Sequence, residues 1–370
     1  MADLTKIQFV HEDANQIIAE SKQYYETLLN RQVAPADIEM LLINGLAYRE
    51  MLIRSGINET ARQSLVSFSR GAALEYLGEL VGVSRLPASG ALCTVQFQLV
   101  SGHNGVTIPG ELRVQSMDGQ VIFQTVESKM IPAGTSTASL LCVCTTPGAI
   151  GNGYAINTIN IILDPQAFIS TAMNTDITTG GADEETDDEL RERIKLAPAS
   201  FSVAGPIDAY KFFAKSAHSS IVDVAVTSPV PGQVNIYPLL DGGVLPSQEI
   251  LDAVQVICNA DKIRPLTDTV ITEEPVTTDY TIEVELTLLT TAVNQQVVND
   301  VTAILTGFKD SRKNRLGLDV VRNKIASLCM LEGKVYNVNV VEPATDIEAD
   351  PEVYTNCTGI TVTVTGTHDE

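Results

Sequence analysis

The feature that most constrains the fold is a change in the spacing of apolar residues near residue 88. Before it, apolar residues recur every three or four positions, which is the spacing of a helix with one buried face. After the turn-forming sequence LPASG at 86–90 the spacing falls to two, as at Cys93, Val95, Phe97 and Leu99. The change of spacing excludes a chain built only of helices or only of strands. The chain is predicted to be a multidomain α+β protein in which a helical region over residues 1–86 precedes a domain of strands.

The helical region carries more apolar surface than one short helical pair would bury. A second helix is predicted to begin near Pro35 and to end at Gly56, and a third to follow with Asn58 as its N-cap. In the first helix two apolar stripes run side by side and form a face wider than a coiled-coil seam. We therefore expect this face to bind a partner. Its residues are Ile17, Ile18, Tyr24, Tyr25, Leu28 and Leu29.

Three further domains are predicted after the helical region. Short alternating segments separated by glycine-containing turns predict a β-sandwich-like or barrel-like domain over residues 87–176. Helices and strands then alternate, which predicts an α+β domain over 177–275 with a helix at 186–196 and another after the Gly-Pro at 205–206. The order of elements partly repeats over 276–370, and this predicts a second, C-terminal α+β domain.

Composition limits the partners and the setting. Acidic residues number 46 and basic residues 24, so the formal net charge is −22 and nucleic acid or an anionic membrane would be repelled. No apolar run approaches the roughly 18 residues that span a bilayer, and the first residues lack the pattern of a secretory signal. We therefore expect a soluble protein that stays where it is made, with its six cysteines reduced.

The acidic and cysteine motifs indicate structural roles and not metal binding or catalysis. The acidic stretch at 183–189 could suggest a metal site, but Thr186 and Glu189 have the spacing of a capping box and acidic residues favour a helix start. Cys142 and Cys144 share one strand face without a second metal-ligand pair. No catalytic, cofactor-binding or metal site is predicted, and no cofactor is expected.

One basic cluster departs from the overall acidic character. Its residues are predicted to lie in the connection between a helix ending near Phe308 and a helix at 318–328. The cluster could dock an acidic face of another copy, or it could be a solvated helix connection. It consists of Lys309, Arg312, Lys313 and Arg315.

Several segments, taken in order, resemble the baseplate J-like family of contractile phage tails. The hallmark is GGADEETDDELR at 180–191. The other matching segments are GAALEYLG at 71–78, TIPG at 107–110, DG at 118–119, GP at 205–206, VDV at 222–224, DGG at 241–243 and RPLTD at 264–268. The resemblance spans roughly residues 60 to 290, and it carries over no catalytic residues.

The resemblance implies a structural role. Proteins of this family build wedges of the baseplate ring around the central hub, pair with a second wedge protein through N-terminal helices, and contact neighbouring wedges through C-terminal domains. The implied partners are other wedge proteins, further copies of the chain, and hub or sheath-initiating proteins. The implied location is the virion tail baseplate, assembled in the host cytoplasm, with a part in tail assembly and genome delivery.

Two alternatives stay open at this point. The chain could serve a phage-derived contractile particle, either an R-type bacteriocin or an injection system. It could also be a tail enzyme that cleaves glycans with two carboxylates in the strand domain.

Overall fold

A computed structural model of the chain describes residues 7–201, 206–260, 263–265 and 267–369. Gly205 and Leu266, which belong to two of the segments quoted above, lie outside the described residues. Contacts divide the chain into two compact units. The helical unit contains Met1–Ser84 and Leu190–Lys195, and the larger unit contains Arg85–Glu189 and Leu196–Glu370.

Within residues 7–84, the N-terminal segment of the helical unit contains three helices. They are α1 (Ala14–Leu29), α2 (Ile38–Arg62) and α3 (Ala72–Glu79). The first two pack together, and the loop between them is fixed by Arg31, which forms ion pairs with Asp37 and Glu39. The buried apolar residues of the pair include Ile17 on α1 and Ile43 on α2.

The predicted break at Gly56 is wrong, because α2 continues through it and through Asn58. Asn58 is fully buried inside the helix and is not an N-cap. Its Oδ1 accepts hydrogen bonds from the backbone N–H groups of Phe9 (2.9 Å) and Val10 (2.8 Å), and its Nδ2 donates to Val10 O at 2.7 Å. The amide therefore bonds a segment 48 residues away instead of starting a helix.

The strand domain contains eight strands, of which six form one sheet in the order β7-β3-β4-β6-β1-β8, while β2 and β5 form a separate ribbon. The two ends of the large sheet are joined by Asn174, whose Oδ1 accepts from Ile159 N at 2.9 Å. Of the two architectures predicted for the strand domain, the barrel-like one therefore fits, because the main sheet curls and, among the described residues, no second sheet of similar size faces it. The strands are β1 (Leu92–Leu99), β2 (Val106–Ile108), β3 (Arg113–Ser116), β4 (Ile122–Thr125), β5 (Lys129–Ile131), β6 (Thr137–Cys144), β7 (Ile159–Ile162) and β8 (Ile169–Asn174).

The helix α4 (Asp187–Leu196) follows the strand domain. Its residues Leu190–Lys195 belong to the helical unit, where the Arg191 guanidinium donates to Val66 O and Ser69 O, both at 2.9 Å. The domain boundaries predicted from the sequence place this segment in the third domain. Its contact with the helical unit could not be predicted, because a long-range contact leaves no local pattern in the sequence.

The middle α+β module has a three-stranded sheet in the order β11-β10-β9, with β9 antiparallel and β11 parallel to the central strand. The helices of this module pack on the sheet around a core that includes Tyr210, Ile236 and Val254. The elements are α5 (Ile207–Lys215), β9 (Ile221–Thr227), β10 (Gln233–Leu240), α6 (Gln248–Cys258) and β11 (Thr269–Thr272).

The C-terminal module has the sheet order β13-β12-β14 with two helices packed on it. The helix predicted at 318–328 begins only at Arg322, because Val320 is extended and bridges to Ile347. The predicted multidomain α+β fold is confirmed. The elements are β12 (Val276–Leu289), α7 (Asn294–Arg312), α8 (Arg322–Cys329), β13 (Val335–Glu342) and β14 (Val353–His368). Among all described residues, no helix is both long enough and apolar enough to cross a bilayer.

Candidate functional site

The first candidate surface lies on α1. Tyr24 and Leu28 are exposed by more than 60 %, Leu29 is also exposed, and Ile18 and Tyr25 are half-buried. Ile17 is buried, with 1 % of its surface exposed, and α1 packs against α2. Five of the six residues predicted for a partner surface are therefore accessible, and Ile17 is corrected to a core residue.

Within the described part of the helical unit, most of the large apolar side chains that are exposed lie on α2. Eight large apolar side chains on this helix are exposed, which exceeds the scattered apolar residues that are normal on a soluble surface. We call these residues, with Tyr24, Leu28 and Leu29, the apolar helix surface. The α2 members are Ile38, Leu41, Leu42, Leu46, Tyr48, Leu52, Ile53 and Ile57. The partner surface predicted from the sequence included none of these α2 residues, although their helical spacing was a usable signal.

Gly45 lies within this surface. A Cβ built on it would meet no atom within 4 Å, and its backbone has the helical conformation that any residue adopts. Glycine inside a helix costs about 0.5–1 kcal/mol relative to alanine. Nothing within the described chain offsets that cost.

The second candidate surface is a notch of about 250 Å³ at the end of α7. We call it the lysine notch, because the side chains of Lys309 and Lys313 line it together with Tyr354 and two glycines. Lys309 is half-buried and Lys313 is exposed. Exposed Asp310 also lines the notch, so its two lysine side chains are accompanied by one carboxylate.

The four residues of the predicted basic cluster differ in their surroundings. Lys309 and Arg312 lie in the last turn of α7, not in a connection, and cations there interact favourably with the helix dipole. Arg312 donates to Leu318 O at 2.9 Å and to Asp319 O at 2.7 Å, and its guanidinium lies 5.0 Å from the Phe308 ring centroid. Arg312 therefore fixes the following loop, while Arg315 is exposed beyond the helix.

Gly242 and Gly243 of the DGG segment at 241–243 line the lysine notch. Gly242 N–H donates to Asn314 Oδ1 at 2.9 Å, and Asn314 Nδ2 donates to Asp241 Oδ1 at 2.6 Å. Gly243 has a left-handed φ of 72° and packs directly against the ring of Tyr354. This segment therefore joins the middle module to the loop after α7.

An apolar cluster supports the same junction. Leu316 follows α7 and is buried with Tyr237, Leu239 and Tyr354, and its N–H donates to Asp223 Oδ2 at 2.9 Å. Tyr354, which also lines the lysine notch, is thus packed in this cluster.

The acidic stretch at 183–189 is used for structure. Thr186 N–H donates to Glu189 Oε2 at 2.8 Å and Glu189 N–H to Thr186 Oγ1 at 3.4 Å, so the predicted capping box is confirmed. Asp183 accepts from Ala149 N, and Asp187 pairs with Arg85. These bonds hold the start of α4 and its preceding turn.

A larger cavity of about 460 Å³ lies beside this stretch. Its lining includes Asp183, Glu189 and Asp241, each of which accepts one of the structural hydrogen bonds given above. Nearby, His218 Nε2 is 2.9 Å from Ser89 Oγ and its Nδ1 is 2.6 Å from Ser220 Oγ, and burial lowers the pKa of this imidazole. The imidazole thus has a serine hydroxyl at each nitrogen, whereas in the usual triad a carboxylate orients the catalytic histidine.

All six cysteines are free and buried, as expected for reduced thiols. Burial raises the pKa of Cys142 and of Cys258 to about 12 and raises that of Cys144. Cys142 lies opposite Cys93 in the sheet, and both belong to the apolar core of the strand domain. These thiols act as small apolar side chains.

Comparison with known proteins places the chain in one family. It is 27 % identical to baseplate protein J of Escherichia phage P2 over 271 residues, which cover 72 % of this chain and 85 % of the relative. It is 30 % identical over 207 residues to a protein named as baseplate protein gp29 of Haemophilus phage HP1, covering 54 % of this chain and 52 % of that one.

Among solved structures, a cryo-electron microscopy structure of the anti-feeding prophage baseplate contains a chain that matches 92 % of this chain and 90 % of its own length, with 14 % identity and a TM-score of 0.42. Family models match three segments in order. They are the baseplate J-like N-terminal domain at 37–91, the baseplate J-like protein barrel domain at 94–181 and the baseplate J-like central domain at 202–273. These matches together cover more than half of the sequence, and the chain belongs to the baseplate J-like family.

Proposed function

We propose that this chain is a structural wedge component of a contractile tail baseplate, part of the ring around the central hub, and that it takes part in tail assembly and genome delivery. Its family consists of baseplate proteins and is not a known family of enzymes. The observation that carries the proposal is the apolar helix surface. A chain of net charge −22 leaves eleven large apolar side chains exposed on two helices, which is the surface of a subunit that assembles with others.

The apolar helix surface fits helices of a second wedge protein. Its side chains on α2 recur at helical spacing, so they form a stripe along the helix, which is the form recognised by another amphipathic helix. Gly45 lies within the stripe, and a small residue there lets a second helix approach closely. Hub or sheath-initiating proteins and further copies complete the proposed partners, with assembly in the host cytoplasm.

Replacing Leu42 and Leu46 by glutamate should remove the chain from tail particles. Both side chains are exposed, so the free energy of unfolding of the isolated chain should change by no more than about 0.5 kcal/mol for each. The measurement is the amount of the chain in purified particles from host cells that make only the variant. A matched control is Met130→Glu with Val256→Glu, which replaces two exposed apolar side chains outside the apolar helix surface by carboxylates. Normal incorporation of the α2 variant would contradict the proposed surface.

Gly45→Ala should separate stability from assembly. The substitution should stabilise the isolated chain by about 0.5–1 kcal/mol, because alanine favours the helix and its Cβ meets no atom. It should nevertheless lower incorporation into particles, because the added methyl group occupies the partner's space. Gly307→Ala, on α7 with equally open surroundings, is the control and should stabilise without loss of incorporation. Equal incorporation of both variants would mean that no helix packs closely at Gly45.

A further inference from the structure

The two ammonium groups of the lysine notch outnumber its carboxylates, since Asp310 is the one acidic residue among the described residues that line it. Within the described chain neither Lys309 nor Lys313 forms a side-chain hydrogen bond or an ion pair, although the protein has 22 more acidic than basic residues. In so acidic a chain, a nearby carboxylate would be the expected partner of each lysine. Asp310 lines the notch but forms no ion pair with either lysine, so the notch keeps a small excess of positive charge in a chain whose net charge is −22.

The notch holds these lysines in a defined place. A Cβ built on Gly242 would lie 3.7 Å from Lys313 Nζ and 3.8 Å from its Cε, so the side chain lies along this glycine. Lys309 is half-buried beside Tyr354 and Cys357, both of which are buried. A site whose groups are already placed loses less conformational entropy when it binds.

The same module carries a surface of the opposite sign. After Lys334 the sequence contains no lysine or arginine, and the loop between β13 and β14 has carboxylates at every second position. We call residues 345–352 the acidic loop. Its carboxylates are Asp346, Glu348, Asp350 and Glu352.

The acidic loop is held rigidly while its outer carboxylates stay unpaired. Asp346 Oδ1 accepts from Arg322 N at 2.8 Å, and Ala349 N donates to Asp319 Oδ1 at 2.9 Å, so two bonds fix the backbone. Glu348 and Asp350 are exposed, and no described cation forms an ion pair with either. By contrast, the acidic stretch at 183–189 is engaged by Arg85, backbone N–H groups and its own capping box.

We propose that the lysine notch of one copy receives the acidic loop of a second copy. Both surfaces belong to the same chain, and among the described residues no ion pair joins them within one copy. Each surface can therefore pair with the complementary surface of a second copy. Complementary charge sets orientation and the rate of encounter, which suits a ring of repeated subunits. The inference rests on the proposed function in one respect, because it gives the C-terminal module the contact between neighbouring wedges.

Zero-length carbodiimide cross-linking of the purified full-length chain tests the contact directly, because this reagent joins a lysine amine to a carboxylate that touches it. Equal amounts of ¹⁵N-labelled and unlabelled chain are mixed at high concentration and low salt before cross-linking. The expected result is cross-linked peptides of mixed isotope that join Lys309 or Lys313 to the acidic loop. Cross-links only within one copy, mixed cross-links to other sites, or none at all would overturn the proposal.

Charge reversal provides a second, independent measurement. One variant carries Lys309→Glu and Lys313→Glu, and the other carries Glu348→Lys, Asp350→Lys and Glu352→Lys. Each alone should self-associate about tenfold more weakly by sedimentation, and their mixture should recover to within about threefold of the original affinity, because opposite charges meet again. The differences should shrink as salt rises, since these exposed charges are screened.

The control variant carries Lys129→Glu with Lys195→Glu, which makes the same charge change at exposed lysines outside the notch. It should associate like the original chain. Failure of the mixture to recover affinity would overturn the notch-to-loop contact even if the chain is found in tail particles. Absence of the original chain from particles would instead contradict the proposed function, so the two failures are distinguishable.

Discussion

Gly243→Ala is expected to destabilise the larger unit by about 3 kcal/mol. The native φ of 72° is strained for any residue with a Cβ, at a cost of about 1 kcal/mol or more. The new Cβ would also lie 2.9 Å from Lys313 O and would clash with the buried ring of Tyr354. Overpacking of this kind costs about 1–3 kcal/mol, because neither the backbone nor the ring can move freely.

Urea unfolding followed by circular dichroism measures this change, and Gly307→Ala is the matched control. The control places a Cβ where it meets nothing within 4 Å in a helix, so its midpoint should rise slightly. Because Gly243 lines the lysine notch, the variant should also weaken self-association. A Gly243→Ala protein as stable as the original would show that the junction between the middle and C-terminal modules is not rigid.

Asn58→Leu is expected to cost the helical unit about 3 kcal/mol. The volume is nearly kept, but the backbone N–H groups of Phe9 and Val10 and the Val10 carbonyl lose their hydrogen-bond partner. A buried polar group without a partner costs about 1–3 kcal/mol. Part of that cost is avoided if the segment before α1 detaches and exposes these groups to water.

Amide hydrogen exchange at Phe9 and Val10 reports on that detachment. Exchange at both residues should accelerate in Asn58→Leu, together with the drop in stability. Asn299→Leu is the control, because Asn299 is an exposed residue inside α7 and its loss should change stability by no more than about 0.5 kcal/mol. Unchanged exchange at Phe9 and Val10 would show that the segment is held by other contacts.

The elements that sequence predicted well are those whose stability is local. The helix α4 begins at a capping box that can be identified from two residues, and β11 is found at 269–272 as predicted, since β-branched residues and flanking turns define it. The change of apolar period near residue 88 likewise separates helices from strands without any knowledge of contacts.

The features that sequence did not predict depend on which residues meet in the folded chain. Asparagine is a residue type that favours the N-cap position, and only the contact of Asn58 with Phe9 and Val10 shows its role. Arg312 is one of four basic residues in a row of seven, and its use for the carbonyls of Leu318 and Asp319 separates it from Lys309 and Lys313. The lysine notch itself is formed by separate segments that lie between residues 242 and 357, and no local pattern records that they meet.

The buried thiols have a practical consequence for experiments on assembly. Alkylating reagents attack the thiolate, and a thiol such as Cys142 with a pKa of about 12 is deprotonated in roughly one molecule in ten thousand at pH 8. All six native cysteines are buried as well, so reagents reach them slowly. A single cysteine introduced on the outer side of the acidic loop would therefore accept a fluorophore or spin label selectively while all native cysteines stay in place. Distances between neighbouring subunits in an assembled ring can then be measured on an otherwise unaltered chain.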